Sequence, residues 1–363
     1  MKTVLAPESF AELVEAVRST PRLLAVGAGT KPRMAAVDVV RLSTKGLCGI
    51  SEYDPSEFTF TAAAGTPVRE IAAALAERGQ YLPFDPMLLD AGATLGGTVA
   101  SGISGPGRFR FGGLRDFILG VRFVDGMGRL LRMGGKVVKN AAGFDLPKFF
   151  VGSLGRFGVL AELTFKVFPR PASALTLRLA AGTLDAAVKV ITEAASSRFE
   201  FEALDIAPDA PGVLARLAGP PEALKAVTGG VFARWPGEIL SDGEAERRWG
   251  ELREFRWVGS NRALVKVVLS PGAVPALDQL VRSLDGAGMH LSAGGNVAFV
   301  SLGGAGCPPP PGALDQRLRD LGLSGVALRG DVPLWVGQRE RPAITQAVKQ
   351  ALDPENRYPT LDD

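Results

Sequence analysis

Residues 91–102, AGATLGGTVASG, form the stretch that decides the fold of this 363-residue chain. Adjacent glycines, small side chains and the hydroxyls of Thr94 and Thr98 let a flat or phosphorylated ligand lie directly against such a backbone. A second stretch, VGAGTKP at residues 26–32, follows a short apolar strand that we predict at residues 22–26. Glycines after a strand expose successive N–H groups, which together bind phosphate oxygens. The two stretches, each beside a strand, predict one extended ligand such as a dinucleotide, whose pyrophosphate needs the donors.

The loop at residues 26–32 is a weak signal when taken alone. It lacks the GxGxxG spacing of Rossmann domains and the GxxxxGK[ST] pattern of P-loops. A tight turn is the alternative interpretation of this loop. The second glycine stretch is what favours a ligand over a turn.

The composition is that of an ordinary globular protein, with 46% hydrophobic and 22% charged residues. The length suggests two domains, or one domain interrupted by another. The formal net charge is +3 and no long basic run occurs, so nucleic-acid binding is not expected. No apolar stretch of about 18 residues occurs, and the N-terminal residues lack the apolar core of a signal peptide. We therefore expect a cytoplasmic protein without a transmembrane segment, associated with a membrane only through partner subunits.

Histidine and cysteine are scarce, which restricts the chemistry. Cys48 and Cys307 lie far apart and are too few for a metal site or an iron–sulfur cluster, so no bound metal is expected. His290 is the only histidine. Histidine-based triads, multi-histidine metal sites and flavins linked to histidine are therefore nearly excluded. His290 could act as one acid–base group, and a packed or surface residue is the alternative.

Periodicity and turn residues predict the main elements before residue 170. A strand at residues 58–63 precedes a helix for which Thr66 is the expected N-cap and Pro67 the first residue. Two further strands, at residues 117–124 and 130–133, surround a turn.

The sequence divides at the stiff PRP stretch, residues 169–171. Strand and helix patterns alternate after it, which suits an antiparallel sheet covered by helices. We predict an α+β fold with a first domain at residues 1–170, a second at residues 171–330, and a C-terminal tail at residues 331–363 that returns to the first domain.

The order of the motifs resembles one flavoprotein family. The segments at residues 26–32, 85–120 (DPMLLD to FILG) and 134–171 (GGKVVKNAAGFD to KVFPRP) resemble the p-cresol methylhydroxylase/vanillyl-alcohol oxidase (PCMH-type) family. Within that family they are most similar to the FAD-binding subunits of bacterial glycolate oxidases. The resemblance covers about residues 20–170. It implies a PCMH-type FAD-binding domain of two α+β subdomains, followed by an α+β cap domain built on an antiparallel sheet.

The resemblance also assigns residues to FAD. The first loop would hold the pyrophosphate through Gly27, Ala28, Gly29, Thr30 and Lys31. The residues assigned along the cofactor are Pro86, Ala93, Thr94, Leu95, Gly96, Gly97, Thr98, Ser101, Gly102 and Ile103. A KNxxGxD element and a stretch near the flavin and adenine add Lys139, Asn140, Gly143, Asp145, Gly158, Val159 and Leu160. For Lys139 an ordinary solvated lysine is the alternative.

Two departures from the family pattern change the expectations. Neither glycine loop has the histidine that holds a covalent flavin in some members, so non-covalent FAD is expected. The usual turn near the C-terminus is altered at residues 353–359, and the altered motif gives no support for a flavin contact from the tail.

The sequence does not identify the catalytic residues. Oxidation of a 2-hydroxy acid needs a base for the hydroxyl proton and a cation for the carboxylate. Relatives that oxidise such acids carry several histidines, often with a metal. Here the candidates are the cations Lys266 and Arg329 and the single histidine, His290. Ordinary surface residues are the alternative for both cations.

Three functions follow from these observations. We favour the FAD-binding subunit of a glycolate oxidase (glycolate dehydrogenase) complex that oxidises glycolate or a related small 2-hydroxy acid to the 2-oxo acid. The resemblance implies a catalytic flavoprotein subunit and an iron–sulfur subunit as partners. This chain has too few cysteines to hold a cluster, so its electrons must leave through another protein or to a diffusible acceptor. A stand-alone FAD-dependent hydroxy-acid or alcohol dehydrogenase is the second function. A non-catalytic assembly subunit that kept a flavin fold is the third.

Overall fold

The computed structural model describes residues 4–135, 145–209, 212–303, 313–339 and 343–363. Helices and strands alternate irregularly over this part of the chain, and the sheets are mostly antiparallel. This arrangement confirms the predicted α+β class. No helix in the described ranges is long and apolar enough to cross a membrane.

The first region, up to Pro169, holds two sheets of different character. β1 and β2 flank β3 in a parallel sheet, and β4, β5, β9, β7 and β8 form an antiparallel sheet in that order. A short ladder joins β6 and β10. The strands are β1 (Val4–Leu5), β2 (Leu23–Val26), β3 (Val40–Ser43), β4 (Ile50–Asp54), β5 (Thr59–Ala63), β6 (Gln80–Tyr81), β7 (Ile118–Val124), β8 (Leu130–Gly134), β9 (Val159–Lys166) and β10 (Phe168–Pro169).

Helices pack on these sheets through their apolar faces. Helix α1 begins after Ser9, whose hydroxyl accepts a hydrogen bond from the Glu12 amide at 3.2 Å, and it buries Leu13 and Val17. The helices of this region are α1 (Phe10–Ser19), α2 (Val68–Ala76), α3 (Leu95–Ser101), α4 (Arg108–Phe111) and α5 (Leu146–Phe149).

The start of α2 differs from the prediction. Pro67, not Thr66, occupies the N-cap position of this helix. The Thr66 hydroxyl instead donates to the Ala63 carbonyl at 2.7 Å and accepts from the Gly49 amide at 2.9 Å. The predicted cap was wrong because the hydroxyl is engaged by the carbonyl three residues before it and by the amide of Gly49, and the contact with Gly49 cannot be seen in a sequence pattern.

The region after residue 171 is built on one nine-stranded antiparallel sheet with the order β14-β11-β13-β12-β16-β17-β15-β18-β19. This confirms the antiparallel sheet predicted for the cap. Its last strand lies beyond residue 330, where we predicted the cap to end. The strands are β11 (Ser173–Leu179), β12 (Phe201–Ile206), β13 (Val213–Gly219), β14 (Gly237–Ile239), β15 (Ala263–Val268), β16 (Gly288–Ser292), β17 (Val297–Leu302), β18 (Ser324–Arg329) and β19 (Trp335–Gly337).

The two faces of this sheet have different partners. Four helices, α6, α7, α9 and α10, cover one face and share its apolar core with side chains such as Val265. Leu264 points to the other face, where it packs with Met87 and Ile103 of the first region. The helices after residue 171 are α6 (Leu184–Ala195), α7 (Pro221–Arg234), α8 (Asp242–Arg253), α9 (Val274–Arg282), α10 (Ala313–Asp320) and α11 (Ala343–Leu352).

The C-terminal tail contacts the first region after α11. Tyr358 is fully buried, and its hydroxyl donates to the carbonyls of Val124 and Asp125 at 2.9 and 3.1 Å. The Gly126 amide donates to the Leu352 carbonyl at 2.8 Å. These contacts agree with a tail that returns to the first domain, although the domain boundaries themselves stay a prediction.

Candidate functional site

The loop after β2 carries a series of uncommitted amide groups. Among the described residues, none accepts a hydrogen bond from the amides of Gly27, Ala28, Gly29, Thr30 or Lys31. The backbone there bends through a left-handed Gly29, with φ of 72°. Consecutive free donors in such a bend suit the oxygens of a phosphate or pyrophosphate.

The first loop and the second glycine stretch meet. The residues that line a cavity of about 70 Å³ come from residues 24–35 and from Thr94, Gly97, Ala100, Ser101 and Leu154. A Cβ atom on Gly27 would lie only 2.1 Å from the Thr94 hydroxyl, so only glycine permits this approach. The structure therefore brings together the two motifs from which the sequence predicted one ligand.

The second glycine stretch differs from the prediction in one respect. Residues 95–101, predicted as a loop, form helix α3, and Thr94 caps it by accepting from the Gly97 amide at 3.3 Å. The Leu95 and Gly96 amides already donate to the Thr66 and Ala64 carbonyls at 2.9 and 2.7 Å. This stretch therefore offers a surface and hydroxyl groups, while the free amides belong to the first loop.

Lys31 places a cation at the same cavity. It is half-buried, and its Nζ donates to the Thr30 hydroxyl at 3.0 Å. Burial lowers the pKa of Lys31 to about 8. No carboxylate in the described ranges pairs with it, so an anionic ligand would supply the missing counter-charge.

A cavity of about 960 Å³ lies between the first region and the cap sheet. The first region contributes Ser101, Gly102 and Arg108, and the cap sheet contributes Lys266 and Trp335. Domain interfaces are the usual position of ligand sites, and the volume is large enough for a flavin ring together with a small substrate.

Lys266 is the candidate cation that lies at this cavity. It stands on β15, on the face that turns toward the first region, and its Nζ lies 3.4 Å from the Gly102 carbonyl. Burial, aided by the charge of Arg108, lowers the pKa of Lys266 to about 8. No described carboxylate pairs with Lys266 or with Arg108. Two neighbouring cations without a counter-ion favour an anion between them.

The other two catalytic candidates lie elsewhere. Arg329 donates to the Val258 and Gly259 carbonyls at 2.9 and 3.2 Å, and it lines neither cavity. His290 is buried inside the cap, where its Nε2 lies 2.8 Å from an Asp205 carboxylate oxygen. Both residues therefore have structural partners, and neither is placed to act on a ligand in these cavities.

Some residues assigned to FAD lie in the protein interior. Pro86, Ala93, Leu95, Thr98 and Ile103 are buried behind the lining residues, and none of them lines either cavity. Gly158, Val159 and Leu160 lie at or in β9, within the apolar core. Their contact with FAD stays a prediction.

The KNxxGxD element can be placed only at its last residue. Lys139, Asn140 and Gly143 lie outside the described residues. Asp145 is the N-cap of α5, where its carboxylate accepts from the Lys148 amide at 3.4 Å and pairs with Lys148 Nζ at 2.8 Å. This contact gives Asp145 a helix-capping role.

Three parts of the lining of the large cavity were not predicted from the sequence. Arg108 and Arg156 line it, and so does the tail at residues 360–362. Arg156 stands within the glycine-rich segment GSLGRFG, which was the available signal for it. Nothing in the sequence places the tail at this cavity, because its position depends on long-range packing.

Known proteins show similarity to the N-terminal part of the chain. A family model described as an FAD binding domain matches residues 1–134. The glycolate oxidase subunit GlcE of Escherichia coli (strain K12) is 51% identical over 130 residues, which are 36% of this chain and 37% of that protein. The glycolate oxidase subunit GlcD of Bacillus subtilis (strain 168) is 31% identical over 149 residues, which are 41% of this chain and 32% of that protein. The matches thus span about a third of each relative's length.

Solved structures show similarity over nearly the whole chain. An alkyldihydroxyacetonephosphate synthase superposes with a TM-score of 0.72 at 16% identity, covering 98% of this chain and 76% of that one. At this identity the likeness concerns the fold alone. The family match, the glycolate oxidase relatives and the two joined glycine motifs agree, and FAD is the cofactor of this domain. Residues 1–134 therefore form an FAD binding domain of the kind that the family model describes.

Proposed function

We propose that this chain is the FAD-binding subunit of a glycolate oxidase (glycolate dehydrogenase) complex. The complex oxidises glycolate or a related 2-hydroxy acid to the 2-oxo acid and passes the electrons through FAD to a partner. The observation that carries the proposal is the cavity of about 960 Å³ in which Lys266 and Arg108 stand without a described counter-ion, beside a phosphate-binding loop. Relatives named glycolate oxidase subunits and D-2-hydroxyglutarate and D-lactate dehydrogenases support this substrate class.

The cofactor would be held by the first loop. FAD, when bound, supplies the acceptor for two electrons. The free amides of residues 27–31 would bind its pyrophosphate oxygens, and Lys31 would neutralise part of their charge. No histidine lines either cavity among the described residues, and His290 is enclosed in the cap. We therefore propose non-covalent binding.

The acid would be held by the cations of the large cavity. Lys266 from the cap and Arg108 from the first region would bind the carboxylate from two sides. Neither of these cations is suited to accept the hydroxyl proton while it holds a carboxylate. We therefore propose that the base comes from a catalytic flavoprotein partner, and that this chain is active only within the complex.

The electrons would leave through a second partner. In the described ranges no group of three or more histidine, cysteine, aspartate or glutamate side chains could hold a metal ion. The two cysteines of the sequence cannot ligate an iron–sulfur cluster. An iron–sulfur subunit is accordingly the proposed acceptor, and it would be the route of any contact with a membrane.

Oxalate tests the acid site without turnover, because it carries carboxylates but no hydride. We expect oxalate to perturb the flavin absorption spectrum of the FAD-loaded chain. Lys266→Met should weaken this binding at least about tenfold, as expected for one lost charge-assisted hydrogen bond. Lys225→Met is the matched control, because Lys225 is exposed on α7 and lies at neither cavity. Equal oxalate affinity in both variants would show that the acid does not bind at this cavity.

Anaerobic addition of glycolate separates the proposal from its alternatives. The proposal expects the flavin of the isolated chain to stay oxidised, and to be bleached once the partner subunits are co-purified. Bleaching of the isolated chain would instead identify a stand-alone dehydrogenase. A chain that takes up no FAD on reconstitution would have only an assembly role.

A further inference from the structure

Arg156 stands on a tightly constrained turn at residues 153–156. Leu154 and Gly155 are both left-handed, with φ of 52° and 72°, an unusual conformation for a leucine. The Arg156 amide donates to the Ser153 carbonyl at 2.9 Å, and Lys349 Nζ donates to the Arg156 carbonyl at 2.7 Å. The backbone therefore fixes the position from which this arginine extends.

In the described ranges no carboxylate forms an ion pair with the buried guanidinium of Arg156. The residue has 0% exposure, and the described partners of its two terminal nitrogens are the carbonyls of Leu154 and Met34, each at 3.4 Å. Its Nε has no partner among the described groups. Desolvation lowers the pKa of Arg156 to about 10, and the Asp363 carboxylate offsets this only in part. A buried charge with such weak partners costs stability, which points to a role other than folding.

Arg156 lies beside both cavities. Arg156 lines the large cavity. Leu154 lines both cavities, and Met34 lines the small cavity beside the phosphate-binding loop. The guanidinium thus contacts residues of both walls and lies where the cavities adjoin. A ligand that extends from the loop at residues 27–31 into the large cavity would pass this point.

We propose that Arg156 is an anion-binding residue of the cofactor site, which neutralises a negative group of FAD between the phosphate-binding loop and the large cavity. Two parts of FAD have this chemistry: the pyrophosphate, and the ring edge that becomes negative when the flavin is reduced. The inference rests on FAD binding and is independent of the acid substrate and of the partner subunits.

The test uses the full chain with Arg156→Met, Arg156→Lys and the control Arg282→Met. Arg282 is exposed on α9 and pairs with Asp278 at 2.7 Å. ADP, which carries the pyrophosphate without the flavin, is titrated into the apoprotein, and the midpoint potential of the FAD-loaded chain is measured without substrate. Thermal unfolding of each apoprotein gives the structural effect separately.

Binding of the pyrophosphate by Arg156 predicts that Arg156→Met weakens ADP at least about tenfold. If Arg156 binds the reduced ring, Arg156→Met should leave the ADP affinity unchanged and lower the midpoint potential by about 30 mV. This shift corresponds to a tenfold loss in the preference of the protein for reduced over oxidised flavin. Arg156→Lys should recover part of either effect, and Arg282→Met should show neither.

A purely structural arginine gives a different pattern. The apoprotein of Arg156→Met would then melt earlier while its ADP affinity and potential match the parent chain, and the proposal would be overturned. If Arg156→Met does not fold, Arg156→Gln keeps a polar, uncharged side chain, two atoms shorter than arginine, and allows the same comparison with Arg156→Lys. If the parent chain together with its partner subunits does not oxidise glycolate, while Arg156→Met still changes the ADP affinity or the midpoint potential as described, the proposed function would be contradicted and this inference would stand.

Discussion

At the scale of single residues, Lys31 links cofactor binding to pH. Its pKa in the free protein is lowered to about 8 by burial. A bound pyrophosphate raises that pKa, because an adjacent anion favours the charged form. FAD binding therefore takes up a proton above pH 8. We expect the FAD affinity to be constant below pH 8 and to fall above it, by at most about tenfold per pH unit for a single proton.

Two substitutions of Lys31 test whether this residue causes the pH dependence of FAD affinity. Lys31→Arg keeps a charge that does not titrate in this range, so affinity should stay high and flat between pH 7 and 10. Lys31→Met should bind FAD weakly at every pH. Lys266→Met is the control, since the pKa of Lys266 is also lowered to about 8. Fluorescence titration of apoprotein with FAD measures all four proteins, and a fall that persists in Lys31→Arg would assign the proton to another group.

At the scale of elements, Asp85 links the first region to the cap. Its carboxylate pairs with Arg216 of β13 at 2.6 Å and accepts from the Gly107 amide at 2.8 Å, at the start of α4. Asp85 is 8% exposed and left-handed, with φ of 49°, so the link is largely desolvated. We expect Asp85→Asn to lower the free energy of unfolding by about 3 kcal/mol, because it leaves Arg216 buried with fewer partners. Urea unfolding measures this loss.

The same substitution should affect the large cavity. Helix α4 carries Arg108, so a looser start of α4 weakens the placement of that cation, and we expect lower oxalate affinity in Asp85→Asn. Asp278→Asn provides the control, because its partner Arg282 has a side chain 71% exposed, and exposed pairs contribute about 0–1 kcal/mol. Similar losses in the two variants would show that Asp85 is an ordinary surface partner.

Elements could be predicted where their signals are local. Helix α6 spans Leu184–Ala195, where LDAAVKVITEAA has apolar residues at helical spacing, and Thr183 caps it by accepting from the Ala186 amide at 3.2 Å. Helix α3 was missed because its adjacent glycines favour a loop when only neighbours are considered. Tertiary packing reverses this preference: a Cβ on Gly96 would lie 2.8 Å from the Ala64 side chain, so glycine is required there.

Site residues, like helices and strands, could be predicted where the signal is local, and not where it depends on long-range packing. The first loop was identified from its glycines, and its free amides are consistent with the predicted role. Lys266 was predicted as a candidate cation on the cap side, and only the pairing of β15 with β17 and β18 shows that it faces the first region. Arg108 and Arg156 were missed, because an arginine in a sequence shows neither its burial nor its lack of a counter-ion.

At the scale of the whole molecule, the tail connects the two regions. Tyr358 binds the backbone of Val124 and Asp125, as described above. Three residues further on, the Leu361 carbonyl accepts from the Trp335 indole at 2.7 Å and from Arg339 at 2.6 Å. The tail thus connects the end of β7 to β19 along one side of the large cavity. Loss of the Tyr358 contacts with the first region should therefore also destabilise the cap.

Tryptophan fluorescence can detect this coupling, because all four tryptophans lie after residue 171. Tyr358→Ala removes a fully buried aromatic ring, and we expect a loss of about 3–5 kcal/mol in the free energy of unfolding. Tyr358→Phe removes only the hydroxyl and should cost about 1–2 kcal/mol. If the tail unites the regions, urea midpoints from fluorescence and from far-ultraviolet circular dichroism fall together in Tyr358→Ala. A fluorescence midpoint that stays in place while the dichroism midpoint falls would mean that the cap unfolds independently, and the large cavity would then lie between two bodies free to separate.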